Sequence, residues 1–321
     1  WGPWEDKIRK LPLSSLMARC TASKTCPKVF DMFGSAEIWG LRYGPGLTGT
    51  SNQADLRLPA NVRRYFVAST SHGSGPGGFD TSLPGVGLPA TGMTCSGNNF
   101  GVGILPRNPM PQNDTESALV VHFRSWIMKG TEPPASRYPR MSDGTLVANT
   151  KEAMGFPTLP QLPPWAPSGL AKPLFDYDWG PEFQAVDGSG VPTKVPPAIR
   201  AVVPSMVPKV DADGNELGGV PVVLRDAPLG TYLGWNIVSG GFYKDNMCGY
   251  TGGMIPFART RAERERTGDP RLSLEERYRD HDGYVKAVRA AAGGAVAAGF
   301  LLPDDAEALI AAAGVSKVLV P

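Results

Sequence analysis

Glu37 and His72 each follow a short apolar run with strand character, and together they could carry out proton transfer. An imidazole with an unperturbed pKa of ~6.5 can take a hydroxyl proton near neutral pH and return it to a leaving group. A carboxylate on the other ring nitrogen fixes the tautomer and stabilises the imidazolium that forms. The pair lacks a nucleophile, since Gly-x-Ser-x-Gly occurs nowhere in the chain. Gly34-Ser35, Gly73-Ser74 and Gly188-Ser189-Gly190 come nearest, and none has the strand, sharp turn and helix of an exposed nucleophile elbow.

Two strands must position the pair. Residues 27–34 are rich in β-branched and aromatic side chains and close at Gly34-Ser35, so Glu37 falls in the turn that follows. Residues 61–70 form a second strand that ends in Ser71-His72-Gly73-Ser74-Gly75, a glycine-rich loop. Residues 41–60 are enough for a crossover between neighbouring parallel strands. Reactive groups gather at the carboxyl ends of strands in an open α/β sheet, so both side chains reach one rim. The order acid then histidine is the tail of the order Ser, Asp/Glu, His in α/β-hydrolases.

The stretch Cys26-Pro27-Lys28-Val29-Phe30-Asp31-Met32-Phe33-Gly34-Ser35-Ala36-Glu37-Ile38-Trp39-Gly40 resembles the acid-bearing segment of a bacterial family of "alpha/beta hydrolase domain" proteins. The likeness continues from Leu58 to Tyr65 and on to Ser71-His72-Gly73, then from Lys129 to Pro139 and Asp143 to Val147. It returns at Pro228 to Asn236, Gly252 to Ala258 and Leu274 to Tyr278, and so touches nearly the whole chain. The resemblance implies a serine hydrolase acting on a small-molecule or polymeric ester, with Glu37 as triad acid and His72 as general base. It also implies an α/β fold that is the C-terminal portion of an α/β-hydrolase, holding the last sheet strands. Members carry the nucleophile serine well upstream of the acid, whereas here Glu37 lies close to Trp1. The expectation is therefore a companion polypeptide carrying that serine and the remaining sheet, either a second chain made by processing or an upstream segment.

Three regions follow from the residue pattern. Residues 1–130 form the hydrolase part, 131–258 a Pro/Gly-rich, β-containing insertion or cap, and 259–321 a helical segment. With 39 Gly and 32 Pro, about a fifth of the chain is turn-forming, against a usual ~12%, so long loops are expected. In the first region, residues 115–129 read as a helix with Asp114 as N-cap and Leu119, Phe123, Trp126 and Ile127 on one face. Phe79, Met93 and Phe100, in the loop before it, are candidates to line a mouth over the site. In the second region, residues 199–203, 219–224 and 233–238 read as strands, and Asp211 to Glu216 as a hairpin turn rather than a calcium loop. Trp165, Trp179, Tyr232 and Trp235 are candidate substrate contacts, with plain packing the simpler reading for each. In the third, Ser273 to Glu276 fits a capping box, followed by a stripe of Tyr278, His281, Val285, Val288 and Ala292 that makes His281 a packing residue. Pro303 starts a last helix, and the charged run from Arg259 to Arg271 reads as a solvated connector.

Composition narrows the function further. A net charge of +2 gives no strong field for nucleic acid, and no run approaches the ~20 apolar residues of a membrane span. Cys20 and Cys26 are close enough to bridge, and Cys95 and Cys248, both in Gly-rich loops, could form a second disulfide. An even count of cysteines in loops suits an oxidising compartment, so the chain is expected to be periplasmic or secreted. Neither Cys-x-x-Cys nor a neighbouring histidine supports zinc, and no metal or cofactor is expected. Two other function classes stay open, a non-catalytic carbohydrate- or polymer-binding module and an inactive hydrolase-like subunit.

Overall fold

The computed structural model describes residues 1–6, 11–79, 95, 101–184 and 189–320. At its centre β1 (Val29–Gly34) lies parallel to β2 (Val62–Val67), in register from Val29 opposite Val62 to Gly34 opposite Val67. The crossover carries α1 (Ser35–Trp39) and a second short helix, Gly44–Thr48. Beyond β2, among the described residues, the ladder continues only as a bridge from Tyr65 to Arg137, with Phe66 N–H donating to the Arg137 carbonyl. Among the described residues no strand pairs with the other edge of β1.

Alternation along the two strands sends side chains to two cores. Phe30 and Met32 join Tyr65 and Val67 in a core shared with the C-terminal helices, while Phe33 and Phe66 enter one with Trp39, Met154, Val207 and Trp235. Both faces of the small sheet are thus covered, as a parallel pair requires. The middle of the chain contributes to both cores.

The helix α2 (Asn113–Lys129) lies against the first face, with Leu119 and Trp126 buried and the Phe123 ring 4.8 Å from that of Phe30. Lys28 and Arg63 sit over the Trp126 ring at 5.1 and 5.0 Å. Its N-cap is Gln112, and Asp114 occupies the first turn, where a carboxylate favours the helix dipole. Ile127 does not share the buried face but is exposed. Phe79 is buried against Tyr284 instead of lining a mouth, and Met93 and Phe100 lie outside the described residues.

The middle stretch is built of antiparallel ribbons, Leu146–Ala148 with Met206–Pro208, Leu174–Asp178 with Ala198–Val203, and β3 (Gly230–Leu233) with β4 (Gly253–Pro256). The strand expected over 233–238 therefore ends at Leu233, leaving single bridges at Ile237 and Val238. At Gly234 the chain leaves the ladder to press on α1, where a Cβ would come within 1.9 Å of Ser35 Oγ. The strand expected over 219–224 instead turns into a helix at Val223–Asp226. Val220, Val222, Val223 and Leu224 are all buried, and a continuous apolar run of that length does not distinguish strand from helix. Asp211 to Glu216 is the expected turn, closed by a Val210–Glu216 bridge and an Asp211 N–H to Asn215 carbonyl bond of 2.9 Å. Tyr232 and Trp235 are core residues, whereas Trp165 is exposed and Trp179 half-buried.

At the C-terminus α3 (Leu274–Tyr278) opens on the Ser273–Glu276 capping box. Arg279, at φ 72°, breaks the stripe, and Asp280 caps a separate helix, α4 (His281–Ala297), by accepting from Gly283 N–H. His281 sits at the start of α4, its two ring nitrogens facing the carbonyls of Val318 and Gly314 at 2.8 and 3.1 Å. The last helix, α5 (Pro303–Gly314), starts on its proline. The connector is only partly solvated. Its helix Arg261–Thr267 buries nothing, but Arg271 is fully buried and bonded to Asp269, Thr231 and the Ile255 carbonyl. Disulfides join Cys20 to Cys26 and Cys95 to Cys248, both pairings expected from the spacing and loops. Among the described residues no helix is long and apolar enough to cross a membrane.

Candidate active site

Glu37 is the third residue of α1, the helix that turns directly out of β1. Gly34-Ser35 therefore does stand at a strand-to-helix turn, contrary to the sequence reading, but Ser35 is buried and its Oγ donates to Glu216 Oε1. A glutamate at this position can reach back over the helix start, and Glu37 Oε2 accepts the Gly34 N–H at 2.9 Å. Gly34 has no side chain to complete the box, so the helix's other free amides go to the neighbouring strand's exit. Ser35 N–H donates to Thr70 Oγ1 at 3.1 Å and Ala36 N–H to the Thr70 carbonyl at 3.2 Å. The two strand ends are therefore stitched together before either functional side chain is considered. Gly34 is required by proximity, since a Cβ there would lie 2.3 Å from Thr70 Oγ1.

The other oxygen of Glu37, Oε1, lies 2.6 Å from His72 Nδ1. Fixing one carboxylate oxygen on a backbone amide leaves the second aimed at the imidazole. The His72 main chain is fixed from both sides. Its N–H donates to the Tyr250 carbonyl at 3.0 Å, and Gln112 Nε2 donates to the carbonyls of Ser71 and Gly73 at 3.0 and 2.9 Å. Gly252 N–H donates to Ser71 Oγ at 3.0 Å, and the Tyr250 ring lies beside the imidazole with centroids 4.9 Å apart. The glycine-rich loop is thus a clamped loop.

Half of the His72 side chain is open to solvent, while Glu37 is at 19%. Among the described residues nothing is hydrogen-bonded to His72 Nε2. Ser71 and Ser74, the serines nearest in sequence, are engaged elsewhere, Ser71 Oγ with Gly252 N–H and Ser74 Oγ with the Gly75 carbonyl and Gln112 N–H. The arrangement is an oriented imidazole with one nitrogen held by a carboxylate and the other presented outward. Such a group can accept a proton from an acidic hydroxyl and hand it on.

Gln112, Thr70 and Tyr250, which hold the pair, went unmarked in the sequence. Thr70 looked like the last residue of a strand, and neither Gln112 nor Tyr250 belongs to a motif that betrays a contact so distant in the chain. Among the described residues no group of histidine, cysteine and acidic side chains is suited to hold a metal.

Comparison with known families gives a match to the alpha/beta hydrolase domain family over residues 2–311, almost the full length. The chain belongs to that family. No curated protein and no solved structure matches it. Family membership supports an α/β fold and a hydrolase-like activity. The parallel β1–β2 pair with a carboxylate and an imidazole at its carboxyl end agrees with it.

Proposed function

We propose that the chain supplies the acid and the base of a serine-type carboxylic ester hydrolase. The observation that carries this reading is the 2.6 Å contact of Glu37 Oε1 with His72 Nδ1 at the rim where β1 and β2 end. His72 Nε2 takes the proton of a serine hydroxyl as that oxygen attacks the ester carbonyl, then returns it to the leaving alcohol. Glu37 holds the Nδ1–H tautomer and stabilises the imidazolium between the two transfers. Backbone amides beside the serine stabilise the oxyanion.

The serine belongs to polypeptide outside the described residues, in an upstream segment or a companion chain. Two observations support this. Nothing among the described residues bonds to His72 Nε2, and one edge of β1 carries no strand among them. A parallel strand added at that edge brings its own carboxyl end to the rim that holds Glu37 and His72. The two disulfides favour a periplasmic or secreted setting. The β-containing stretch 131–258 is read as an insertion or cap beside this centre.

The test is ester turnover by the native protein. His72→Ala should lower it by about 10³–10⁶-fold with the fold intact, and retained turnover removes His72 from the reaction.

A second reading, a binding module for carbohydrate or another polymer, draws on a row of rings along the ribbon from Leu174. Phe175, Tyr177, Trp179 and Phe183 follow one another with centroids 5.9, 5.6 and 5.9 Å apart. Under that reading Glu37→Gln and His72→Ala leave binding unchanged.

A further inference from the structure

Beneath the candidate active site lies a carboxylate that the reaction above does not use. Glu216, at the end of the turn from Asp211, is buried, yet its side chain is fully occupied. Oε1 accepts from Ser35 Oγ at 2.7 Å and from Trp39 Nε1 at 2.8 Å. Oε2 accepts from the backbone N–H of Ser69 at 2.6 Å. Ser35 and Trp39 are the first and last residues of α1, the helix that carries Glu37. Ser69 stands three residues before His72. One carboxylate therefore spans the acid's helix and the histidine's loop.

The contact to Ser69 is reciprocal, because Glu216 N–H donates to Ser69 Oγ at 2.9 Å. Ser69 adopts φ 59°, a left-handed conformation that a non-glycine residue holds only when its surroundings impose it. Its carbonyl is held as well, by Asn108 Nδ2 at 2.6 Å. The turn that redirects the chain from β2 to His72 is thus fixed at N–H, side chain and carbonyl. Burial pushes the Glu216 carboxyl above its usual range, and the Ser35, Trp39 and Ser69 donors offset that rise only in part. The Trp39 indole and the Ser69 amide can only donate, so the site needs an acceptor on both oxygens.

We propose that Glu216 is a positioning residue that sets the Glu37–His72 geometry by tying α1 to the His72 loop; its catalytic consequence rests on the hydrolase reading. A glutamine of the same shape cannot replace it. Its amide nitrogen must face the Ser69 N–H or the Trp39 Nε1–H, donor against donor, so one of the two ties is lost.

The test reads His72 directly. The tautomer of its ring is followed by long-range ¹H–¹⁵N correlation NMR of the 321-residue chain, which contains three histidines, with His72→Ala assigning the signal and thermal melting reporting the fold. Wild-type protein should show the Nδ1–H tautomer. Folded Glu216→Gln should move to a mixture with the Nε2–H form, and in the native enzyme kcat should fall about 10- to 100-fold with KM little changed. A folded Glu216→Gln protein that keeps the wild-type tautomer overturns the proposal. If Glu216→Gln does not fold, Ser35→Ala, which removes one donor from Oε1, decides the matter: a smaller shift in the same direction supports the proposal and an unchanged tautomer overturns it. Because the tautomer is read without turnover, failure of the hydrolase reading leaves this outcome interpretable.

Discussion

Glu37 uses its two oxygens differently, one to accept the Gly34 amide and one to face His72 Nδ1. Replacing it with glutamine keeps the volume but offers an amide nitrogen to one of those donors. If the amide nitrogen faces the imidazole, Nδ1 must become the acceptor and Nε2 carries the proton, which leaves no base toward the serine. Glu37→Gln should therefore lower kcat by about 10³–10⁴-fold in ester turnover with little change in KM. A loss confined to KM would place Glu37 in substrate binding. The types and order of Glu37 and His72 were legible in the sequence, because strand-ending turns and a glycine-rich loop mark them. Glu216 was legible only as the end of a turn, since its partners Ser35, Trp39 and Ser69 are more than a hundred residues away in the chain.

The elements that were legible are those whose signals are local. β1 and β2 follow from β-branched and aromatic runs, α5 from its N-terminal proline, and α3 from its capping box. That box also makes a prediction. Hydrogen bonds from Arg264 and from Ser273 hold the Glu276 carboxyl down, at about 2. A carboxylate with a depressed folded-state pKa contributes stability that is complete above its unfolded value, ~4.3, and is lost as pH falls toward the folded one. Thermal melting should thus separate wild type from Glu276→Gln above pH ~5, with the difference closing between pH ~4 and ~2. A difference that does not vary with pH would contradict the charged contact. The elements misjudged were settled by contacts far off in the chain. Gly234 leaves its strand because α1 needs the space, and Asp280 divides an apparently continuous stripe by capping a new helix. Helical spacing puts Ile127 on a face without saying which neighbours cover it, and the capping preference of Asp114 marks a helix start without fixing its first residue.

Over the whole molecule, two cores sandwich a two-stranded parallel pair, and long-range ties hold the loops that carry the site. The Cys95–Cys248 disulfide closes a separation of 153 residues and sits two residues before Tyr250, whose carbonyl holds His72. Cys20–Cys26 closes a separation of only 6. In a chain-entropy view the long bridge stabilises by about 5 kcal/mol and the short one by about 2 kcal/mol. Denaturant unfolding should accordingly show the Cys95→Ser/Cys248→Ser protein far more destabilised than Cys20→Ser/Cys26→Ser, and equal losses would contradict the entropic ranking. At this scale the sheet was only partly legible: its parallel order follows from the crossover length, but the two-sided burial also needs distant segments, the C-terminal helices on one face and Val207 and Trp235 on the other. The measurement that tests the central claim most directly is fluorophosphonate labelling of the native protein, with the adduct located by mass analysis and repeated in His72→Ala. The adduct should fall on a serine outside the described residues and form far more slowly once His72 is gone. No adduct, or one that forms on the same serine at an unchanged rate without His72, would contradict a serine hydrolase whose base is His72.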